Sequence, residues 1–397
     1  MERRAQVILK PRKVRTFLSR HPWVLDTSID RIEGDPADGD VVDLLSEKGR
    51  FVARGIYNRR SRIRVRLYGW DAAEPLDATF WRRRLEAAVR LRSLLGYDDR
   101  RGAARLVYSE GDWLSGLIVD RYADWLVVQV TALGMAQRLA EVLPILVELA
   151  QPKGIFVRTE QAMARVEGIE IVPGLHWGEA PAGPVVVDDG GLRCQMDLAE
   201  GQKTGLYLDQ RENRRAAARY FGGRRVLDMF CYTGGFSLAA SLWGGARECL
   251  GVDSSAKAVE LAQVNARLNG LENLTFRTGD GFQVLQSLAD AGERFGGVIL
   301  DPPKFARSRA AVDDALRAYH WLNRLGMLVV EPGGILVTCS CSGAVGREDF
   351  FYALLGAAQQ TGRQVQVLQQ RGASPDHPIA LSCPESDYLK CFICRVA

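Results

Sequence analysis

Residues 224–253, RRVLDMFCYTGGFSLAASLWGGARECLGVD, decide the fold. An apolar run ends at Asp228, the chain turns at Gly234-Gly235, a helix-type stretch follows, and a second apolar run ends at Asp253. Strand, glycine turn, helix, strand is the repeating unit of a parallel sheet, because parallel neighbours need a crossover connection. The alternation continues through KAVELAQVNARLNG, NLTFRTGD, FQVLQSLADA, GGVILDPP and GGILVTCS. The C-terminal half therefore predicts an α/β domain with helices on both faces of a mostly parallel sheet.

Ligands of such sheets sit beyond the carboxyl ends of the strands, so the residues closing each apolar run carry the functional reading. Asp228 leads into a turn where Gly234 and Gly235 let the backbone approach a ligand. The spacing is not G-x-G-x-x-G, which argues against a nicotinamide dinucleotide. Asp253, 18 residues beyond Gly235, is placed to accept hydrogen bonds from both hydroxyls of an adenosine ribose, and Asp280 to meet an adenine amino group. Asp301-Pro302-Pro303-Lys304-Phe305 closes the fourth run with a rigid wall against which a base can lie. Taken singly, each feature reads equally as an ordinary structural turn.

The fifth run, GGILVTCSCSG, delivers Cys339 and Cys341 to the same end. A pyrimidine ring carbon is a poor nucleophile, so methylating it requires covalent addition at the neighbouring carbon, usually by a thiolate. Cys341 is the candidate, and a buried strand-end cysteine is the alternative. A nucleophilic thiol needs a nearby cation, for which Lys304 and His377 are available.

At 397 residues the chain is long enough for two or three domains, and its 47% hydrophobic and 25% charged residues are those of ordinary folded proteins. No apolar run approaches the roughly 18 residues of a membrane span, and MERRAQVILKPRK lacks a secretion-signal core, so a cytoplasmic protein with no membrane partner is expected. The eight cysteines are expected to be free thiols. Cys391 and Cys394 have zinc-knuckle spacing but no second pair, which favours buried strand positions and no metal.

Charge is unevenly placed: residues 1–70 carry 16 Lys and Arg against 9 acidic residues, the rest 36 against 39. That asymmetry suggests a module facing a polyanion. DVVDLLSEKGRFVARGIYN reads as a hairpin. In RIRVRLY, Arg62, Arg64 and Arg66 alternate with Ile63, Val65 and Leu67, which predicts three guanidiniums about 6.6 Å apart on a solvent face, fit to track phosphates. The pattern turns helical near residue 75.

LKPRKVRTFLSRHPWVL, EGDWLSGLIVDRY, GQKTGLYLDQREN, DMFCYTGGFS, GVDSS, DPPKF, TCSCSG and the late DHP together closely resemble a family spanning essentially the whole chain. It is the PUA-domain-containing class I methyltransferases that make 5-methylcytosine in large-subunit ribosomal RNA. The resemblance implies a PUA RNA-binding barrel over 1–72, a small α+β (EEHEE-like) domain over 73–185, and a Rossmann-like domain with a seven-stranded, mostly parallel sheet over 186–397. It implies S-adenosylmethionine as cofactor, held by Gln202, Lys203, Tyr207, Gln210, Asp228, Phe230, Tyr232, Gly234, Asp253, Ser254, Asp280 and Asp301.

The same resemblance makes Cys341, ninth from Gly333, the nucleophile, and strand alternation puts Cys339 on the same face as a neighbour lining the site. Many RNA cytosine methyltransferases carry a second cysteine after the fourth strand, where this chain has DPPKF. Asp301 is then the candidate to hydrogen-bond the base and move protons, assisted by Lys304. Large-subunit rRNA is the implied partner, and a homodimer is suggested. A guanine-nitrogen methyltransferase, which needs no thiol, a uracil-carbon methyltransferase and an RNA-binding scaffold are the competing readings.

Overall fold

The computed structural model describes residues 4–198, 206–306 and 308–397. Two compact units emerge. The first gathers the chain up to Val185 with Asp376–Ser386, and the second holds Val186–Asp197, the chain from Leu206 to Pro375, and Asp387–Ala397.

The first unit contains two sheets. Six strands, in the order Trp23–Leu25, Ile63–Gly69, Phe51–Tyr57, Val41–Leu45, Gln6–Leu9, Ile29–Glu33, surround a core that includes Val7, Phe17, Val42, Val65 and Leu67. The hairpin of Val41–Leu45 with Phe51–Tyr57 is antiparallel, as its alternation requires. A second sheet of five strands runs from Ala103–Tyr108 to Gly174–Gly178, and helices Ala78–Leu94 and Leu139–Ala150 contribute Trp81, Leu85, Val142 and Leu146 to the core shared with its strands.

The arginine row is corrected here. Arg62 is exposed and Arg64 is half-buried, but Arg66 is buried at 8% exposure. Its guanidinium binds Glu167 at 3.3 Å, Ser115 Oγ at 3.0 Å and Glu110 at 3.5 Å. Alternation fixes which face a side chain occupies, whereas what covers that face depends on packing; here residues 109–115 and Glu167 cover the outward face at Arg66. Arg66 is a structural ion-pair centre, not one of three solvent-facing cations.

The second unit is built on seven strands. In chain order they are Arg225–Met229, Glu248–Asp253, Leu274–Thr278, Phe295–Leu300, Val330–Ser340, Val365–Arg371 and Lys390–Val396. Their spatial order is third, second, first, fourth, fifth, seventh, sixth, and the seventh alone runs antiparallel to its neighbours. The order reverses between the first and fourth strands, which opens the crevice a ligand of this fold uses. Helix Val312–Val329 and helix Arg347–Thr361 seal one face around Tyr319, Leu322 and Phe350. All eight cysteines are free thiols, and Cys391 and Cys394 are buried in the seventh strand. Among the described residues no helix is long and apolar enough to cross a membrane.

Candidate active site

The first strand sets the floor of the site. Asp228 is buried, and its Oδ2 accepts hydrogen bonds from the Ser237 amide at 2.9 Å and the Ser237 hydroxyl at 2.7 Å, pinning the start of helix Gly235–Leu242. Burial raises its carboxyl to about 7. The loop between is bent: Phe230 and Tyr232 have φ of 63° and 50°, a left-handed conformation that costs a bulky residue about 1–2 kcal/mol. Gly234 follows at φ 86°, where an added Cβ would stand 3.1 Å from the Phe276 ring. A side chain there is both strained and crowded.

Asp253 ties this loop to the second strand. One carboxylate oxygen accepts from the Tyr232 amide and the other from the Ser255 amide, both at 2.9 Å. A carboxylate has about four acceptor positions, so two remain for the hydroxyls of a ribose. Asp228 Oδ1, buried with no hydrogen-bond partner among the described residues, is a further acceptor unsatisfied by the protein. A carboxylate with spare acceptors, a glycine cradle and aromatic walls fit an adenosine-bearing cofactor.

The other expected cofactor residues divide. Tyr207 is half-exposed and its ring lies 5.3 Å from that of Tyr232. Phe230 packs on Phe282, which also meets Phe305 and Trp321. Ser254 is exposed, and Asp280 caps helix Gly281–Asp290 through the Gln283 amide while remaining exposed. Gln210 is buried: its Nε2 donates to Asp301 at 3.0 Å and its Oε1 accepts from Asn213, so it orients a carboxylate. Gln202 and Lys203 lie outside the described residues.

Cys341 follows the fifth strand, is partly accessible, and sets its Sγ 3.9 Å from the Pro302 carbonyl oxygen. The environment expected to lower its pKa does the opposite. Burial pushes the thiol up to about 12, the carboxylates of Asp301 and Asp209 push the same way, and Lys304 opposes them. Asp301 is itself raised to about 7, by burial and then by Asp209 and Asp228. Cys339 is fully buried and in register with Cys391, away from solvent. His377 is bound to Asp376 at 2.8 Å in the first unit.

Three residues of this site escaped the sequence reading. Lys390 is buried and donates to the carbonyls of Ser342 at 2.7 Å and Tyr388 at 2.9 Å. Burial lowers its pKa to about 8, against the pull of Cys341 and Asp387. Tyr388 in turn donates its hydroxyl to Asp209. Only the pairing of the seventh strand with the fifth, which sets Lys390 opposite Ser340, brings this cation beside the thiol.

A direct expectation concerns this thiol. Only the thiolate reacts with iodoacetamide, so the alkylation rate of Cys341 should climb about tenfold per pH unit from 8 to beyond 10. Lys304→Met should move the curve to still higher pH, because the Lys304 charge is what opposes the upward shift of the thiol. A plateau near pH 9 in the unmodified protein, followed by peptide mass spectrometry, would refute the assignment of these charges.

A separate cluster of His21, Cys383 and Glu385 has metal-ligating residue types within 4.8 Å of one another. His21 Nδ1 accepts from the Trp23 amide, which leaves the proton on Nε2 to donate to Glu385 at 3.3 Å.

Comparison with known proteins decides the family. The PUA-like domain profile matches residues 7–70, and the profile of the S-adenosylmethionine-dependent methyltransferases matches residues 174–380. The chain belongs to the S-adenosylmethionine-dependent methyltransferase family. This methyltransferase is 40% identical to ribosomal RNA large subunit methyltransferase I of Aeromonas hydrophila, over 98% of this chain and 99% of that one. It is 36% identical to the protein of that name from Escherichia coli, over 98% and 99% of the two chains. The solved structure of SMU.776, described as a methyltransferase complexed with SAH, aligns with TM-score 0.85 at 19% identity over 98% of this chain and 99% of that chain, which shows a shared fold. The methyltransferase thus has a PUA-like N-terminal domain and a Rossmann-like catalytic domain, and its cofactor is S-adenosylmethionine.

Proposed function

We propose that the protein methylates C5 of a cytosine in large-subunit ribosomal RNA through a covalent adduct with Cys341. The observation that carries the chemistry is a partly accessible thiol at the carboxyl end of the fifth strand, within reach of the Asp301 carboxylate and of the Lys304 charge. The substrate class rests on the relatives' name over almost the full chain. Residues 1–72 would serve as the RNA-binding module, 73–185 as the middle domain and 186–397 as the methyltransferase domain.

In this reading Asp253, the Gly234 loop, Tyr207, Tyr232 and Asp280 hold the cofactor, which when bound supplies an electrophilic methyl group. Asp301, poised near neutral pH, takes the thiol proton, and that transfer also removes a negative charge from beside the sulfur. The thiolate adds to C6 of the ring and the electron pair of the C5–C6 π bond moves to C5, which accepts the methyl. C5 then loses its proton to a base, the double bond re-forms and the thiolate leaves.

The test incubates the protein with protein-free large-subunit RNA and methyl-labelled cofactor, then separates the nucleosides. Labelled 5-methylcytidine is expected. Label in a methylguanosine or in 5-methyluridine would overturn the cytosine assignment, and no label would favour a scaffold.

The corrected arginine row changes the expected effect of substitution. Arg62→Ala with Arg64→Ala should weaken RNA binding and reduce the slope of log K against log salt by about 0.7 for each phosphate no longer neutralised, as on single strands. Arg66→Ala should instead destabilise the first unit. Binding unchanged across salt in the double variant would remove these two residues from the RNA surface.

A further inference from the structure

The first unit carries a groove of about 700 Å³ that the reading of the catalytic site does not use. Its walls come from the segment after helix Val14–Leu18, from helix Ala78–Leu94, from Trp113 and from residues 378–384. The floor is apolar, with Ala88, Leu91 and Ile379, while Arg20 and Arg84 supply positive charge. The acidic residue of the lining, Asp112, is already bound to Arg92 by both oxygens and offers the groove no free negative charge.

Trp113 is the unusual member. It is 50% exposed and closes the turn Ser109–Asp112 at φ 57°, a left-handed conformation rare for a bulky residue. The Arg84 guanidinium lies 5.6 Å from its ring and 5.2 Å from the ring of Phe80. One Arg84 nitrogen donates to the Tyr68 carbonyl and Nε is buried, so the guanidinium offers the groove its charge through its outer edge. Arg12, Lys13, Arg15 and Arg20 are exposed on the adjoining segment. An exposed aromatic face, an arginine charge beside it and a cationic rim together fit a planar base with its phosphate.

We propose that this groove binds an unpaired nucleotide of the RNA, the base stacked on Trp113 and the phosphate on Arg84 and Arg20. Bases within a duplex are already stacked, so an exposed aromatic platform selects single-stranded or looped RNA. The inference rests on the reading that RNA is the substrate, and adds where and in what form the strand is gripped away from the reacting base.

The test measures binding of a labelled single-stranded fragment of large-subunit RNA to the full chain across a salt series. Trp113→Ala should weaken binding about tenfold or more, as expected for one base–aromatic stack, while Trp113→Phe restores most of it. Arg84→Gln with Arg20→Gln should lower the salt slope, and cofactor affinity should stay unchanged in every variant. Trp113→Ala binding as tightly as the unmodified protein at every salt concentration would overturn the inference. So would a change in sedimenting mass caused by Trp113→Ala, because the groove would then be an interface between copies of the chain. Failure of the unmodified protein to bind RNA would instead bring down the substrate reading itself, and this inference with it.

Discussion

Cys341→Ala will abolish RNA methylation while leaving cofactor affinity within experimental error of the unmodified protein. A covalent nucleophile has no substitute in the same geometry, and removing one costs on the order of 10⁴- to 10⁶-fold in turnover. None of the hydrogen bonds that tie the cofactor loop together, from Asp228 to Ser237 and from Asp253 to Tyr232 and Ser255, involves the sulfur. Turnover and affinity should therefore separate cleanly. Single-turnover assays with labelled cofactor provide the readout, and calorimetry provides the affinity. Full activity in the alanine variant would move the chemistry to a nitrogen acceptor, which carries its own lone pair, and would leave Cys341 as a packing residue. Cys339→Ala should behave differently, since that thiol is fully buried against Cys391 and its removal leaves only a small cavity.

Asp112→Ala will unfold the first unit at markedly lower denaturant. Arg92 and Asp112 are both almost wholly buried and meet through two bonds of 2.6 and 2.7 Å. The same guanidinium donates to the carbonyls of Arg105 and Asp376, each at 2.7 Å. Truncating the carboxylate leaves the almost wholly buried Arg92 guanidinium without its counter-charge, a loss of about 3–5 kcal/mol. Asp112→Asn, which keeps an acceptor for Arg92 and for the Tyr108 amide, should cost less than the alanine variant. Urea titration followed by tryptophan fluorescence distinguishes the two. A loss below about 1 kcal/mol in Asp112→Ala, the range of an exposed pair, would show that solvent enters this core.

The parts legible in the sequence share one property: their signal is local. Strand, turn and helix follow from short periodic runs, so the sheet, the Gly234 turn and the strand-end Asp228, Asp253 and Asp301 could be placed from the sequence alone. Cys341 was legible because strand periodicity carries it to the edge where ligands sit. What was missed depends on approaches between distant segments. Lys390 reaches the carbonyl of a residue 48 positions away, and Tyr388 reaches a carboxylate 179 positions away. Arg66 was misplaced for the same reason: its partner Glu167 lies 101 residues downstream, and no period reports it. Nor could the direction of the Cys341 shift be anticipated, because it depends on Asp209 and Asp301 approaching through the fold.

The eleven residues Asp376–Ser386 complete the first unit although they are made after six of the seven strands of the second. Asp376 gives its backbone carbonyl to Arg92 and its carboxylate to the Arg105 amide. During synthesis the nascent N-terminal half must therefore wait, with Arg92 incompletely satisfied, while most of the catalytic sheet is being made. A polypeptide halted anywhere before Asp376 holds neither unit in finished form, and such truncated products should be open to proteases around Arg92 and Arg105.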